Sequence, residues 1–174
     1  MGGGIPCGAY GLTQEIADKV AHAKDVDLVD VGGIGGTLAG NALSVATMRS
    51  TLEQVLTEQA FEKMIKLATK FTNEVQGLLD KYNIPWSISQ LGGRAEYRFV
   101  KPAPKNGGES AKAGNDMLDE FMHLFMVNRG ILMTPFHNMA LMCPYSEESD
   151  VIKHTKVFEE AMILLKDVYT KAKL

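Results

Sequence analysis

The chain has 174 residues, of which 45% are hydrophobic, and its net charge is -3 from 18 Lys and Arg against 21 Asp and Glu. This apolar content suffices for a buried core and excludes a disordered chain. Because the basic residues form no block, the sequence lacks the positive surface that binds nucleic acid or an anionic membrane. No apolar run approaches the roughly 20 residues that a membrane helix needs.

The two cysteines, Cys7 and Cys143, lie far apart in the sequence and have no metal-ligand spacing. Disulfides are rare in reducing compartments, where isolated cysteines remain thiols. The cysteine pattern therefore predicts reduced thiols in a cytoplasmic protein without a metal site.

The first part of the chain is rich in glycine and contains two predicted helices. Thr13 has the side chain of a helix N-cap, and Glu15 follows in the first turn. Residues 26–31 alternate apolar and acidic side chains, which predicts a half-buried strand, with a loop as the alternative. Glycine-rich residues 32–37 then lead into a helix predicted over residues 39–56.

The next helix is predicted from an apolar stripe with steps of three and four residues. Its members are Phe61, Met64, Ala68, Phe71, Val75, Leu78 and Tyr82. Thr57 is its predicted N-cap, and Asn83 and Pro85 end it. Two strands follow over residues 86–90 and 94–100, joined by a turn at Gly92 and Gly93. The pattern therefore predicts a hairpin after the long helix.

The remaining elements are a loop, a helix, two strands and a helix. Residues 101–115 contain prolines, glycines and polar residues and are predicted to form a surface loop. A helix is predicted over residues 117–128, and short strands over residues 131–134 and 139–143. A final helix starts at Ser146, with an apolar stripe that extends to Val168. This half is predicted to be a small α+β unit.

The glycine-rich turn is the first candidate site. Residues 32–41 predict free backbone N–H groups beside the positive end of a helix, an arrangement that binds phosphate. The dinucleotide fingerprint fails because Leu38 stands where glycine is required, and the Walker pattern fails because no lysine follows. Glycines that only permit close helix packing are the alternative. The hydroxyl of Thr37 favours a phosphate.

Three residues in the second half are candidates for binding a substrate. Arg94 and Arg98 have the geometry to hold a carboxylate, although alternation with Glu96 on a strand is also typical of a solvated face. His137 lies between two predicted strands, where a loop histidine that satisfies backbone groups is the alternative. His154 has no convergent partner in the sequence and is assigned no role.

Two motifs carry a resemblance to a known family. GGGIPCGAYG at residues 2–11 and GGIGGTLAGNALSVATMRSTLEQVL at residues 32–56 resemble the segment after the cofactor lysine in class III pyridoxal-phosphate-dependent aminotransferases. The similarity is greatest to glutamate-1-semialdehyde aminomutases. GGRAEYRF at residues 92–99 and NRGILMTPFHNMALMCP at residues 128–144 resemble the small domain of the same relatives. The resemblance covers nearly the whole chain.

The resemblance implies an α/β fold that is the C-terminal part of a fold type I enzyme. Residues 1–56 are then the end of the large cofactor domain, and residues 57–174 are a linking helix and a small α+β domain. The implied cofactor is pyridoxal 5'-phosphate. Gly36 and Thr37 match the motif that contacts the cofactor phosphate of the neighbouring subunit, which implies a homodimer. The Schiff-base lysine lies upstream of Met1 in this family, so no catalytic residue is expected in the chain.

For a complete enzyme, the resemblance implies transfer of an amino group of a small amino acid or amine through an aldimine of the cofactor. The enzyme is then a transaminase with two substrates or an aminomutase with one. Many class III transaminases bind a substrate carboxylate with an arginine where this chain has Met142, which argues against an ordinary α-amino-acid transaminase. This chain alone is expected to be inactive. The competing hypothesis is a stand-alone, non-catalytic binding or assembly module that retains only the phosphate-contacting turn.

Overall fold

The computed structural model describes residues 1–22, 35–134 and 137–171. The chain divides into two compact units, Met1–Thr57 and Glu58–Leu174. The strand predicted over residues 26–31 and the first residues of the glycine-rich turn, 32–34, lie outside the described residues. The assignment of the two units to a large and a small domain stays a prediction.

The first unit contains two helices, α1 (Gln14–His22) and α2 (Ala42–Gln54). Thr13 caps α1 as predicted, since its hydroxyl oxygen accepts a hydrogen bond from the Ile16 amide at 3.4 Å. Helix α2 begins three residues later than predicted. Gly40 adopts a positive φ of 67° in the preceding turn, and the Asn41 side chain then caps the helix by accepting from the Ser44 amide at 3.0 Å.

The second unit contains α3 (Glu58–Lys81), β1 (Ser87–Leu91), β2 (Arg94–Arg98), α4 (Gly107–Lys112), α5 (Asp116–Val127), β3 (Met139–Leu141) and α6 (Glu148–Lys171). The strands form an antiparallel sheet in the order β1-β2-β3. Helix α3 packs against α6 and against both strands of the hairpin, and α5 packs against α6. The predicted hairpin is confirmed, and Gly92 supplies its turn with a φ of 56°.

A chain of five rings connects the sheet to both long helices, and we call it the aromatic column. It runs from Trp86 to Tyr97 (5.9 Å between centroids), Phe158 (5.1 Å), His154 (5.6 Å) and Phe71 (4.4 Å). Each ring is buried. Aromatic contacts of this kind contribute about 0.5–1.5 kcal/mol each beyond the area they bury, so the column ties α3, α6 and β2 into one core.

His154 is the polar member of the column. It is 5% exposed, and neither ring nitrogen has a hydrogen-bond partner among the described residues. Burial lowers the pKa of His154 to about 3, and the nearby Glu74 carboxylate opposes this only in part. The imidazole is therefore a neutral core side chain at physiological pH.

Two of the predicted elements are wrong. The loop predicted over residues 101–115 contains helix α4, because the Asn106 side chain caps it by accepting from the Glu109 amide at 3.0 Å. Residues 131–134 form no strand. The amide of Ile131 instead donates to the Met126 carbonyl at 3.0 Å, which closes the end of α5.

The ends of two predicted apolar stripes are also wrong. Phe61 is 47% exposed in the first turn of α3, and Val168 is 60% exposed near the end of α6. The buried stretch of α3 runs from Met64 to Leu79. Leu67 is buried there although the predicted stripe omits it. The periodicity identifies the buried face correctly but not how far the sheet and α6 cover it.

Candidate functional site

The glycine-rich turn presents unused hydrogen-bond donors. The Thr37 side chain is exposed, and neither its hydroxyl nor the backbone amides of Gly36, Thr37 and Leu38 bond to any described residue. The turn is closed by the Ala39 amide, which donates to the Gly36 carbonyl at 2.8 Å. At Gly35 a Cβ would lie 2.6 Å from the Cβ of Ala39, so glycine is needed there. This arrangement suits a bound oxyanion such as phosphate.

The two N-terminal motifs meet within the first unit. Residues 6–10 and 38–41, together with α2, line a cavity of about 540 Å³. The Ser44 hydroxyl donates to the Pro6 carbonyl at 3.2 Å and so joins the two segments. The unused donors of the turn therefore lie beside a concave surface of the same unit.

The three predicted substrate residues of the second unit converge on one carboxylate. Arg94 donates to Glu96, and Arg98 Nη1 lies 3.3 Å from Glu96 Oε1. His137 Nδ1 lies 3.2 Å from the same oxygen. The Glu96 side chain is only 13% exposed. We call these four residues the Glu96 cluster.

Strand pairing explains why these residues meet. Arg94, Glu96 and Arg98 alternate along β2 and lie on the same face. Glu96 pairs with Met139 of β3, and the Tyr97 amide donates to the Asn138 carbonyl at 3.1 Å. Continued along the chain, this register brings residue 137 opposite Arg98, on the face of the sheet that carries Glu96. Sequence alternation alone identifies the face but not its neighbour from β3.

The charged face of β2 is less open than a solvated face would be. Arg98 is 20% exposed, and its Nη2 donates to the Ser110 carbonyl at 2.5 Å. The segment around α4 therefore lies over this end of the strand, which explains why the alternative of a solvated face does not hold for Arg98 and Glu96. Arg94 remains exposed. Glu96 is not among the predicted site residues, although an acid with an arginine two residues away on each side is a signal present in the sequence.

Two further properties bear on the class of site. Within residues 1–22, 35–134 and 137–171, no group of three or more His, Cys, Asp or Glu side chains is arranged to hold a metal ion. No helix in these ranges is long and apolar enough to cross a membrane.

Comparison with known proteins identifies homologues of the chain in sequence and in structure. No family model matches it. Glutamate-1-semialdehyde 2,1-aminomutase 2 of Staphylococcus haemolyticus is 32% identical over 166 residues, which cover 93% of this chain and 36% of that protein. The crystal structure of a glutamate-1-semialdehyde aminomutase from Pseudomonas aeruginosa PAO1 matches with 40% identity and a TM-score of 0.79, covering 86% of this chain and 34% of that one.

A variant of the Pseudomonas aeruginosa enzyme in complex with PMP matches with 43% identity and a TM-score of 0.72, covering 76% of this chain and 29% of that chain. These matches confirm the predicted α/β fold as that of part of an aminomutase. This chain spans about a third of the length of the relatives it matches. The chain is therefore homologous to one third of a glutamate-1-semialdehyde 2,1-aminomutase.

Proposed function

We propose that the chain is part of a pyridoxal-phosphate-dependent enzyme of the glutamate-1-semialdehyde aminomutase type, which moves an amino group within a small substrate. One observation carries this proposal: a solved aminomutase agrees with this chain in sequence (40% identity) and in fold (TM-score 0.79) over 86% of its length. A transaminase acting on a related amine is the alternative within the same chemistry.

The proposed cofactor is pyridoxal 5'-phosphate, and a related enzyme has been crystallised with PMP. When bound, this cofactor withdraws electrons from the carbon that carries the amino group. In this chain, Gly36 and Thr37 are proposed to hold the phosphate. Their amides and the Thr37 hydroxyl are exposed donors without a partner among the described residues. A charged acceptor strengthens each such hydrogen bond.

The proposed substrate contacts come from the Glu96 cluster. Two arginines and one glutamate leave the cluster with an excess positive charge, which attracts a substrate carboxylate. Arg94 and His137 are the more exposed members, with side chains 45% and 43% exposed. Arg98 is less exposed, because it donates hydrogen bonds to the Glu96 carboxylate and to the Ser110 carbonyl. In this proposal Glu96 is a positioning residue that keeps the three cationic or hydrogen-bonding groups together.

The assembly and location are also part of the proposal. The Gly36–Thr37 turn is proposed to reach the cofactor of a neighbouring subunit in a homodimer, while the Schiff-base lysine comes from sequence outside this chain. A cytoplasmic location is supported by Cys7 and Cys143, which are free and exposed thiols.

The test is a chimera in which this chain replaces the matching third of the Pseudomonas aeruginosa aminomutase. Cofactor binding is followed by visible absorbance, and activity by conversion of glutamate-1-semialdehyde. We expect a coloured, active chimera. Thr37→Val should weaken cofactor binding by about tenfold or more, because a hydrogen bond to a charged group contributes about 1.5–3 kcal/mol.

Thr47→Val is the matched control, since the Thr47 hydroxyl donates within α2 to the Leu43 carbonyl at 2.6 Å. It should leave cofactor affinity unchanged. A folded but colourless chimera contradicts the proposal. Cofactor binding by this chain alone as a monomer would instead favour the stand-alone module.

A further inference from the structure

A polar cavity lies on the face of the sheet opposite the aromatic column. Its volume is about 290 Å³. Ser87 and Ser89 of β1 pair with Arg98 and Glu96 of β2, so these four side chains share one face. The segment of residues 103–106 and Ser110 complete the lining. We call it the sheet-face cavity.

Two residues that line this cavity each carry a buried donor that lacks an acceptor. Ser87 is 8% exposed, and its hydroxyl has no hydrogen-bond partner in the described part of the chain. The same holds for Arg98 Nε, although Nη1 and Nη2 of that side chain bond to Glu96 and the Ser110 carbonyl. Buried polar groups in folded proteins are almost always paired, and an unpaired group costs about 1–3 kcal/mol. A hydrogen-bond acceptor bound in the cavity would therefore satisfy Ser87 Oγ and Arg98 Nε.

The charges around the cavity favour an anionic acceptor. Glu96 is already neutralised by Arg94 and Arg98. The Lys105 ammonium is exposed and makes no hydrogen bond or ion pair with any residue that the structure describes. Glu109, the other nearby acid, accepts from the Lys105 amide and the Asn106 side chain. An oxyanion in the cavity thus meets unpaired donors and an unpaired cation, whereas the one carboxylate of the lining, Glu96, is already paired with two arginines.

We propose that the sheet-face cavity binds a small oxyanion, a carboxylate or a phosphate. Ser87 Oγ and Arg98 Nε donate to its oxygens, and Lys105 attracts it at the cavity mouth. The site shares Arg98 and Glu96 with the Glu96 cluster, but it needs neither the cofactor nor a second subunit. Its test therefore stands or falls independently of the proposed aminomutase activity.

The experiment titrates the 174-residue chain with inorganic phosphate and, separately, with acetate at constant ionic strength, using calorimetry and amide NMR shifts. We expect saturable binding by at least one of the two anions, with shifts confined to residues around the cavity. Ser87→Ala should weaken this binding by about tenfold or more, because a hydrogen bond to a charged group is lost. Lys105→Met should weaken it about two- to fivefold.

Matched controls test for general effects of such changes. Thr72→Val removes another buried hydroxyl without a partner, which lies in α3 and outside the cavity, and Lys112→Met removes an exposed lysine of α4. Both controls should bind like the unmodified chain. The proposal is overturned if neither anion binds saturably, since water alone then fills the cavity. It is also overturned if Ser87→Ala and Lys105→Met, folded by circular dichroism, bind like the controls.

Discussion

The buried imidazole of His154 makes the stability of the second unit depend on pH. Its pKa is lowered from an ordinary value of 6.5 to about 3 by burial, with a partial opposing effect of Glu74. A proton therefore binds more tightly to the unfolded chain than to the folded one. The stabilisation from keeping this ring neutral is complete above about pH 6.5 and is lost as the pH falls towards 3. One pKa unit corresponds to about 1.4 kcal/mol, so about 2 kcal/mol is lost between pH 7 and pH 5.

The perturbation is His154→Leu, which keeps an apolar side chain of similar volume between Phe71 and Phe158. Urea unfolding at pH 7 and pH 5, followed by the fluorescence of Trp86, gives the free energy of unfolding at each pH. We expect the unmodified chain to lose about 2 kcal/mol more than the variant over this interval. Both proteins contain Glu74, so the difference isolates the histidine.

His22→Gln is the control, because it removes an exposed histidine from the first unit. It should keep the pH dependence of the unmodified chain. Equal losses of stability in the unmodified chain and in His154→Leu would refute the reasoning, because His154 would then bind protons equally in both states.

Two further predictions concern the fold. The buried Trp86 indole N–H donates to Tyr169 Oη at 2.7 Å, and Tyr169→Phe removes this acceptor. The variant should therefore have a free energy of unfolding about 1–3 kcal/mol lower. Urea unfolding at pH 7 measures this difference, and an unchanged free energy of unfolding would contradict the stabilising role of the bond. Gly92→Ala should lower the free energy of unfolding by about 1 kcal/mol, because the turn needs a φ of 56° even though there is space for the methyl group. Gly77→Ala, inside α3, should raise the free energy of unfolding by about 0.5–1 kcal/mol. The melting temperatures of the two variants should therefore shift in opposite directions.

Local patterns in the sequence predict the parts of the fold that local energetics determine. The α3 stripe, the stop at Asn83 with its φ of 53°, and the hairpin at Gly92 follow from helix periodicity and turn chemistry. Helix α4 was missed because it starts with two glycines, which helix propensity disfavours. Its Asn106 N-cap, by contrast, is a local signal present in the sequence.

The candidate sites depend more on long-range contacts. Residues 131–134 have the composition of a strand, but the Ile131 amide closes the end of α5, and β2 pairs with the later segment Met139–Leu141. The convergence of Arg94, Arg98 and His137 on Glu96 needs the register of β3, which the sequence does not reveal. The shielding of Arg98 needs the Ser110 carbonyl, 12 residues away. The unused donors of Thr37 and its neighbouring amides, by contrast, were predictable from the turn alone.

The aromatic column determines what spectroscopy can observe in this protein. Trp86 is the only tryptophan of the chain and lies at one end of the column, whose other members belong to β2, α6 and α3. Its emission therefore reports the loss of packing throughout the second unit. The first unit contains no tryptophan, so its unfolding is silent in that signal. Any ligand binding at the Thr37 turn must accordingly be measured with a probe placed in residues 1–57.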